Sequence, residues 1–275
     1  MAQLPENANP EASAPLSAED QRLHQQALVL DRFENTVSPY RFRRYLKATA
    51  SREEAVALYL WNVALSEALY PALNFFEVAL RNALHNALTE THSGSSRWFM
   101  DALLLRPHHQ DQVMQALQTL RDQRKPVDPI TPTQAVPVEP QRVVAELSLG
   151  FWVNLCSGPY VATMFPRVVN KAFPRASRSA REHHHLYPRL KEQHDLRNRI
   201  FHHEPIYHWR DLADKHVRLY ELLRWIEPDQ LHFLQAIDRF EAIHKAGPSA
   251  LQFNAEYAAL AASEALKLRT VEAGS

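Results

Sequence analysis

Residues 51–90, SREEAVALYLWNVALSEALYPALNFFEVALRNALHNALTE, run for forty residues with no glycine and a single proline. Apolar side chains recur in this run at helical rather than alternating spacing, so the chain must accommodate one very long helix or two collinear ones. Ser51 followed by Glu54 makes a capping box at its start. Pro71 predicts a kink or a split, because it removes a backbone donor and its ring crowds the preceding turn. Beyond Pro71 the run is apolar almost all round, through Leu73, Phe75, Phe76, Val78, Ala79, Leu80, Leu84 and Leu88. A helix of that kind belongs in the centre of a bundle.

The rest of the chain agrees. It has only five glycines and no alternating β-branched runs, which argues against an extensive sheet. Further helices are expected over about 18–31, from Ser38 with Pro39 at the first helical position, and over about 187–204, 210–226, 228–245 and 250–268. RVVAELSLGFWVNLCSG is read as one more, stopping near Gly158-Pro159. The fold class is therefore all-α, a helical bundle of roughly eight helices with no repeat at solenoid period. Residues 1–19, rich in Pro, Ala, Ser and Glu, predict a disordered tail. The stretch 121–141 carries Pro126, Pro129, Pro132, Pro137 and Pro140 and predicts an extended connector. A single helical domain is expected over 20–245, followed by a C-terminal helix and tail over 246–275.

Composition narrows the function. Lys+Arg and Asp+Glu both number 31, so the chain lacks the basic excess of a non-specific nucleic-acid coat. Any RNA contact must come from a local patch. Cys156 is the only cysteine, which excludes an internal disulfide and a Cys-based zinc site. The first twenty residues have no basic and apolar regions of a signal peptide, and no window approaches 18 uninterrupted apolar residues. A soluble, cytoplasmic protein without a membrane span is expected, and the sequence suggests no cofactor.

The chemistry concentrates in LRNRIFHHEPI, residues 196–206. Pro205 ends the helix and pushes Glu204 out of the α region, so the motif occupies the last turns. Asn198 and His202 are i,i+4 neighbours, as are Arg199 and His203, while Leu190, Leu196, Ile200 and Phe201 mark the apolar arc. Arg197 falls within that apolar arc. A guanidinium stays charged there, so it needs either a core carboxylate or an anion at an interface. Histidine can move protons near neutrality, arginine can stabilise charge developing on a phosphate, and Asn can orient either an imidazole or a substrate. Such a set suffices for metal-independent RNA cleavage in which the neighbouring 2′-OH is the nucleophile.

Arg197-Asn198-x-x-x-His202 matches the R-x(4–6)-H signature of HEPN domains. The strings LSEALYPALNFFEVALRNALHNAL, RVVAELSLGFWVNL and LRNRIFHHEPI, in that order, resemble the Abi-like (abortive infection) branch over about residues 20–245. The resemblance implies an all-α HEPN bundle that forms a homodimer and shares a ribonuclease site across the two-fold. It further implies a role in phage defence or a toxin–antitoxin system, with an antitoxin as a possible partner. By the same resemblance Arg197, Asn198 and His202 form the catalytic core. His203 is a further candidate, with Glu204 and Arg199 as weaker neighbours. Some HEPN proteins lack nuclease activity and only bind RNA or partners, so that alternative stands beside the enzyme reading. Balanced charge favours a structured target such as a tRNA loop over broad cleavage.

Plainer readings apply elsewhere. Asn74, Glu77, Arg81 and His85 form a polar stripe on an otherwise apolar helix. It is read as a buried network in which Glu77 pairs with Arg81 or receives Arg197. A structural salt bridge is the competing reading of Arg197 itself. His183-His184-His185 and His108-His109 are read as loop histidines, with no metal site. RFRRY at 41–45 mixes basic and aromatic residues as RNA-binding surfaces do, and equally suits a solvated helix face. Trp61, Trp98, Phe151 and Trp152 are assigned to the core.

Overall fold

The structure, a computed structural model, describes residues 17–123 and 138–251. The 1–19 tail lies mostly outside these residues, as do most of the Pro-rich connector and almost all of the helix expected over 250–268. Eleven α-helices and no strand occur among the described residues, so the chain is all-α. The number exceeds eight because two expected helices are divided and two more, over Pro107–Asp122 and Phe165–Ala172, form where none was expected.

Two compact units divide the chain: residues 1–61 with 246–275, and residues 62–245. The boundary falls inside a continuous helix, Arg52–Thr91.

In the first unit, Ser17 caps α1 (Ala18–Val37) by accepting from the Asp20 amide at 3.1 Å. Pro39 opens α2 (Pro39–Leu46), although Ser38 before it makes no side-chain cap bond. The capping box expected at the start of α3 (Arg52–Thr91) forms with its return bond shifted one residue, to Ala50. The Glu54 amide donates to Ser51 Oγ at 3.1 Å, and Glu54 Oε2 accepts from the Ala50 amide at 2.9 Å. Phe33 sets its ring edge-on against Phe42 and Tyr59, and Phe42 stacks on Tyr45. Both aromatics of RFRRY are thus buried, which removes them as stacking platforms for bases, while Arg41, Arg43 and Arg44 stay exposed.

Pro71 does not split α3. An internal proline costs about 3 kcal/mol. Leu65, Leu69, Leu73, Phe76 and Leu80 are all buried around it, each contributing roughly 1.5–3 kcal/mol. Burial on both sides of the proline therefore outweighs the lost bond. By length and composition alone α3 could cross a membrane, a property that buried core helices share.

The second unit continues with α4 (Pro107–Asp122), α5 (Pro140–Glu146), α6 (Leu149–Asn154), α7 (Phe165–Ala172), α8 (His183–Phe201), α9 (Leu212–Ile226), α10 (Gln230–Gln235) and α11 (Phe240–Ala246). The single helix expected over RVVAELSLGFWVNL breaks at Leu147, whose carbonyl turns out to accept from Trp152 Nε1 at 3.3 Å. Ser148 then caps α6 through the Phe151 amide. The 228–245 helix breaks at Asp238, whose carboxylate takes His216 Nε2 at 2.7 Å and the Tyr220 hydroxyl at 2.5 Å while capping the Phe240 amide.

The core of this unit is aromatic. Trp98 meets Trp152 edge-on at 6.0 Å, Phe151 lies against Trp152, and all three are buried. Trp61 is only half-buried. Trp98 Nε1 donates to His85 Nδ1 at 3.0 Å, so the end of the α3 polar stripe is a satisfied buried pair. His109 is no loop residue. It lies fully buried in α4, its Nδ1 2.7 Å from the Tyr160 hydroxyl and its ring edge-on to Phe151. Burial, followed by the neighbouring His108, pushes its pKa down to about 4.

Candidate functional site

The helix that carries the motif starts earlier than its sequence suggests. His183-His184-His185 form the first turn of α8 instead of a loop. Leu186, Leu190, Leu196 and Ile200 are buried along its length and fix its rotation. Arg197 consequently faces α3. Its Nε donates to Glu77 Oε2 at 3.3 Å, and its guanidinium carbon sits 4.2 Å from the centroid of the Phe201 ring. Glu77 is therefore the carboxylate that receives Arg197, and no ion pair joins Glu77 to Arg81 within α3. The Arg81 Nε is buried without a hydrogen-bond partner among the described residues. Asn74, the first residue of the stripe, is exposed.

The Arg197 side chain keeps 27% of its surface, and its Nη atoms make no hydrogen bond among the described residues. Phe201 is 43% exposed and lies 6.0 Å from the ring of Tyr70, which is 50% exposed. A partly exposed guanidinium over one exposed aromatic ring, itself beside a second, thus lies at this end of α8.

The end of the helix has a defined cap. The His203 amide donates to the Ile200 carbonyl at 3.0 Å and the Glu204 amide to the Arg199 carbonyl at 2.9 Å, the two bonds of a Schellman motif. His203 occupies the left-handed position of that motif, with φ 56°, where glycine is the usual residue. Arg199 ties down the same turn. Its Nε donates to the Pro205 carbonyl at 2.9 Å, its Nη1 pairs with Glu204 at 3.2 Å, and it lies over the Trp209 ring. These bonds hold Arg199 and Glu204 to each other. His202 and His203 are exposed, and their rings make no hydrogen bond, ion pair or ring contact among the described residues.

The three expected core residues are not joined within one chain. Asn198 does not bond His202. Its Nδ2 lies 2.9 Å from Nε2 of His194, its neighbour one turn earlier. Burial lowers the His194 pKa, partly opposed by Asp195, with Lys191 and Arg197 lowering it further. A Cβ at Gly150 would lie 2.9 Å from His194 Nε2, so glycine in α6 admits this imidazole.

Two contributors escaped the sequence reading. His194 was discoverable as the i−4 neighbour of Asn198, on the opposite side from the i+4 neighbour His202. Asn62 was visible only as a lone amide in an apolar run. It is buried, and its Oδ1 accepts from the amides of Ile206 at 2.7 Å and Tyr207 at 3.1 Å, clamping the segment that follows Pro205.

No family model matches the chain, and no curated protein or solved structure matches it.

Proposed function

We propose that the protein is a metal-independent endoribonuclease of the HEPN type, acting as a homodimer in phage defence or a toxin–antitoxin system. The reading rests on the resemblance of its motif helix to the Abi-like branch. One observation supports it above the others. Two histidines whose rings have no partner among the described residues are displayed at the end of α8, one of them at a backbone position better suited to glycine, and the last turn of the same helix carries Arg197, whose Nη atoms make no hydrogen bond among the described residues. Imidazoles kept in such a place suit proton transfer more than packing.

In this mechanism His202 takes the proton of a ribose 2′-OH. The oxygen attacks the adjacent phosphorus, the bond from phosphorus to the 5′-oxygen breaks, and a 2′,3′-cyclic phosphate remains. The leaving 5′-oxygen takes a proton from a protonated imidazole, either His203 or one supplied by the second copy. Arg197 stabilises charge on the phosphorane oxygens, and Asn198 orients groups in the site. Balanced charge fits a structured RNA, such as a tRNA loop, met by a local cleft. The same reading puts the protein in the cytoplasm, off the membrane, without a cofactor, and with an antitoxin as a further partner.

The Arg197–Glu77 pair favours a second reading, a non-catalytic HEPN protein that binds RNA or a protein partner and uses the motif helix structurally. Incubating RNA with the purified chain in EDTA separates the two. The enzyme reading expects 2′,3′-cyclic termini that His202→Ala and Arg197→Ala abolish while circular dichroism stays unchanged. Cleavage surviving in both folded variants rejects the site. A wild type that binds RNA without cleaving it, together with destabilisation shared by Arg197→Ala and Glu77→Gln, favours the second reading.

A further inference from the structure

The opposite end of α8 holds a second group of histidines with a different arrangement. Successive helical residues diverge by about 100°, so three consecutive histidines cannot all face one point. Here they divide. His183 turns inward, stacked on Tyr187 at 5.3 Å and 9° and edge-on to Phe165 at 5.4 Å. Leu186 is fully buried. His184 and His185, lying between these two anchors, face solvent with their ring centroids 4.0 Å apart.

Glu182 completes the group because it stands outside the helix. Its backbone is extended, at φ −62° and ψ 138°, and its carbonyl accepts the amides of His185 and Leu186 at 2.9 Å. Its carboxylate lies 3.6 Å from His184 Nε2. One donor atom from each of Glu182, His184 and His185 lies within 4.8 Å of the other two. Zinc takes imidazole nitrogen at about 2.0–2.1 Å and carboxylate oxygen at about 2.0–2.2 Å, so small rotations of exposed side chains suffice to bring all three onto one ion.

We propose that Glu182, His184 and His185 form a binding site for a borderline divalent cation, with zinc as its principal occupant. Two imidazoles and one carboxylate are a donor set that suits zinc, and the exposed rim leaves the fourth tetrahedral position to water. Magnesium and calcium, which prefer all-oxygen shells, are poor occupants. The site departs from the absence of a metal expected from sequence. It is also separate from the Arg197–His202 end of the helix, so it stands whether or not the chain cleaves RNA.

The test is calorimetric titration of tag-free, chelator-treated protein with zinc chloride, repeated with magnesium chloride. The expected result is one zinc equivalent bound at micromolar concentration and no magnesium heat. Glu182→Gln, His184→Gln and His185→Gln should each weaken zinc by about tenfold or more, because each removes one of three ligands. His232→Gln, on an exposed histidine of α10, should change nothing. No zinc heat at micromolar concentration would overturn the proposal, as would wild-type zinc affinity in all three variants. All three positions are exposed, so circular dichroism should match the wild type.

Discussion

His108-His109 and His202-His203 are both adjacent histidine pairs near a proline, yet they meet opposite environments. Pro107 opens α4 ahead of the first pair, and His109 turns into the aromatic core, where Tyr160 and Phe151 enclose it. Pro205 follows the second pair, which sits at a helix end with both rings in solvent. Proline before a pair starts a helix and gives each residue a face, one of which is core. Proline after a pair ends the helix and leaves the residues where no neighbouring element covers them. The largest effect therefore belongs to the first pair. His109→Ala removes a buried ring and leaves a cavity, and should cost about 3–4 kcal/mol. His202→Ala should stay within about 0.5 kcal/mol, as surface changes do. Urea unfolding of both variants reads the contrast directly. A cost for His109→Ala below that of His202→Ala would reverse it.

Acid should sharpen the same comparison. An unfolded chain protonates His109 near pH 6.5, whereas the native residue resists until about pH 4. The unfolded state thus binds more protons in that window. The contribution is complete above pH 6.5 and is lost as pH falls toward 4, by up to about 3 kcal/mol for 2.5 units. Burial also lowers His85, and it lowers His194 against the pull of Asp195, so both add to the same window. Partial burial raises the Glu192 pKa, but Arg218 and Lys215 outweigh it and hold the carboxyl below the usual range, so its loss begins lower, near the unfolded carboxylate pKa. Stability measured from pH 7 to 4 should show a shallower slope in His109→Gln than in wild type. Parallel slopes would remove His109 from the account.

These two pairs also mark what sequence could reveal. Features fixed by neighbours in the chain were legible: Pro39 at the first turn of α2, the Ser51–Glu54 box, the helix stop before Pro205. The Arg197–Glu77 pair was one of two legible readings for a physical reason as well, since a charge on an apolar arc requires a counter-charge and Glu77 was the carboxylate of the polar stripe on the central helix, with Arg81 as its other candidate partner. Features fixed by distant groups were not. Asp238 divides a helix because His216 and Tyr220 claim its carboxylate from α9. Pro71 fails to divide one because both sides are buried. His194 reaches Asn198 only because Gly150, forty-four residues earlier, has no side chain. None of these partners is marked by local periodicity.

The smallest effect tests why a histidine stands at position 203. At φ 56° an L side chain crowds its own backbone, and glycine there relieves roughly 1 kcal/mol, less the greater freedom glycine gains on unfolding. His203→Gly should therefore raise stability by about 0.5 kcal/mol without altering the Schellman bonds, since those use only backbone atoms. Under the ribonuclease reading the same change should slow cleavage, because the displayed imidazole is gone. His203→Asn supplies the control, as Asn also tolerates the left-handed region but moves no proton near neutrality. A protein stabilised by His203→Gly and slowed equally by both changes would mark position 203 as one where a proton-carrying ring is kept against the preference of the backbone. Unchanged activity in both would leave His203 as a helix cap alone and concentrate the proposed chemistry on His202.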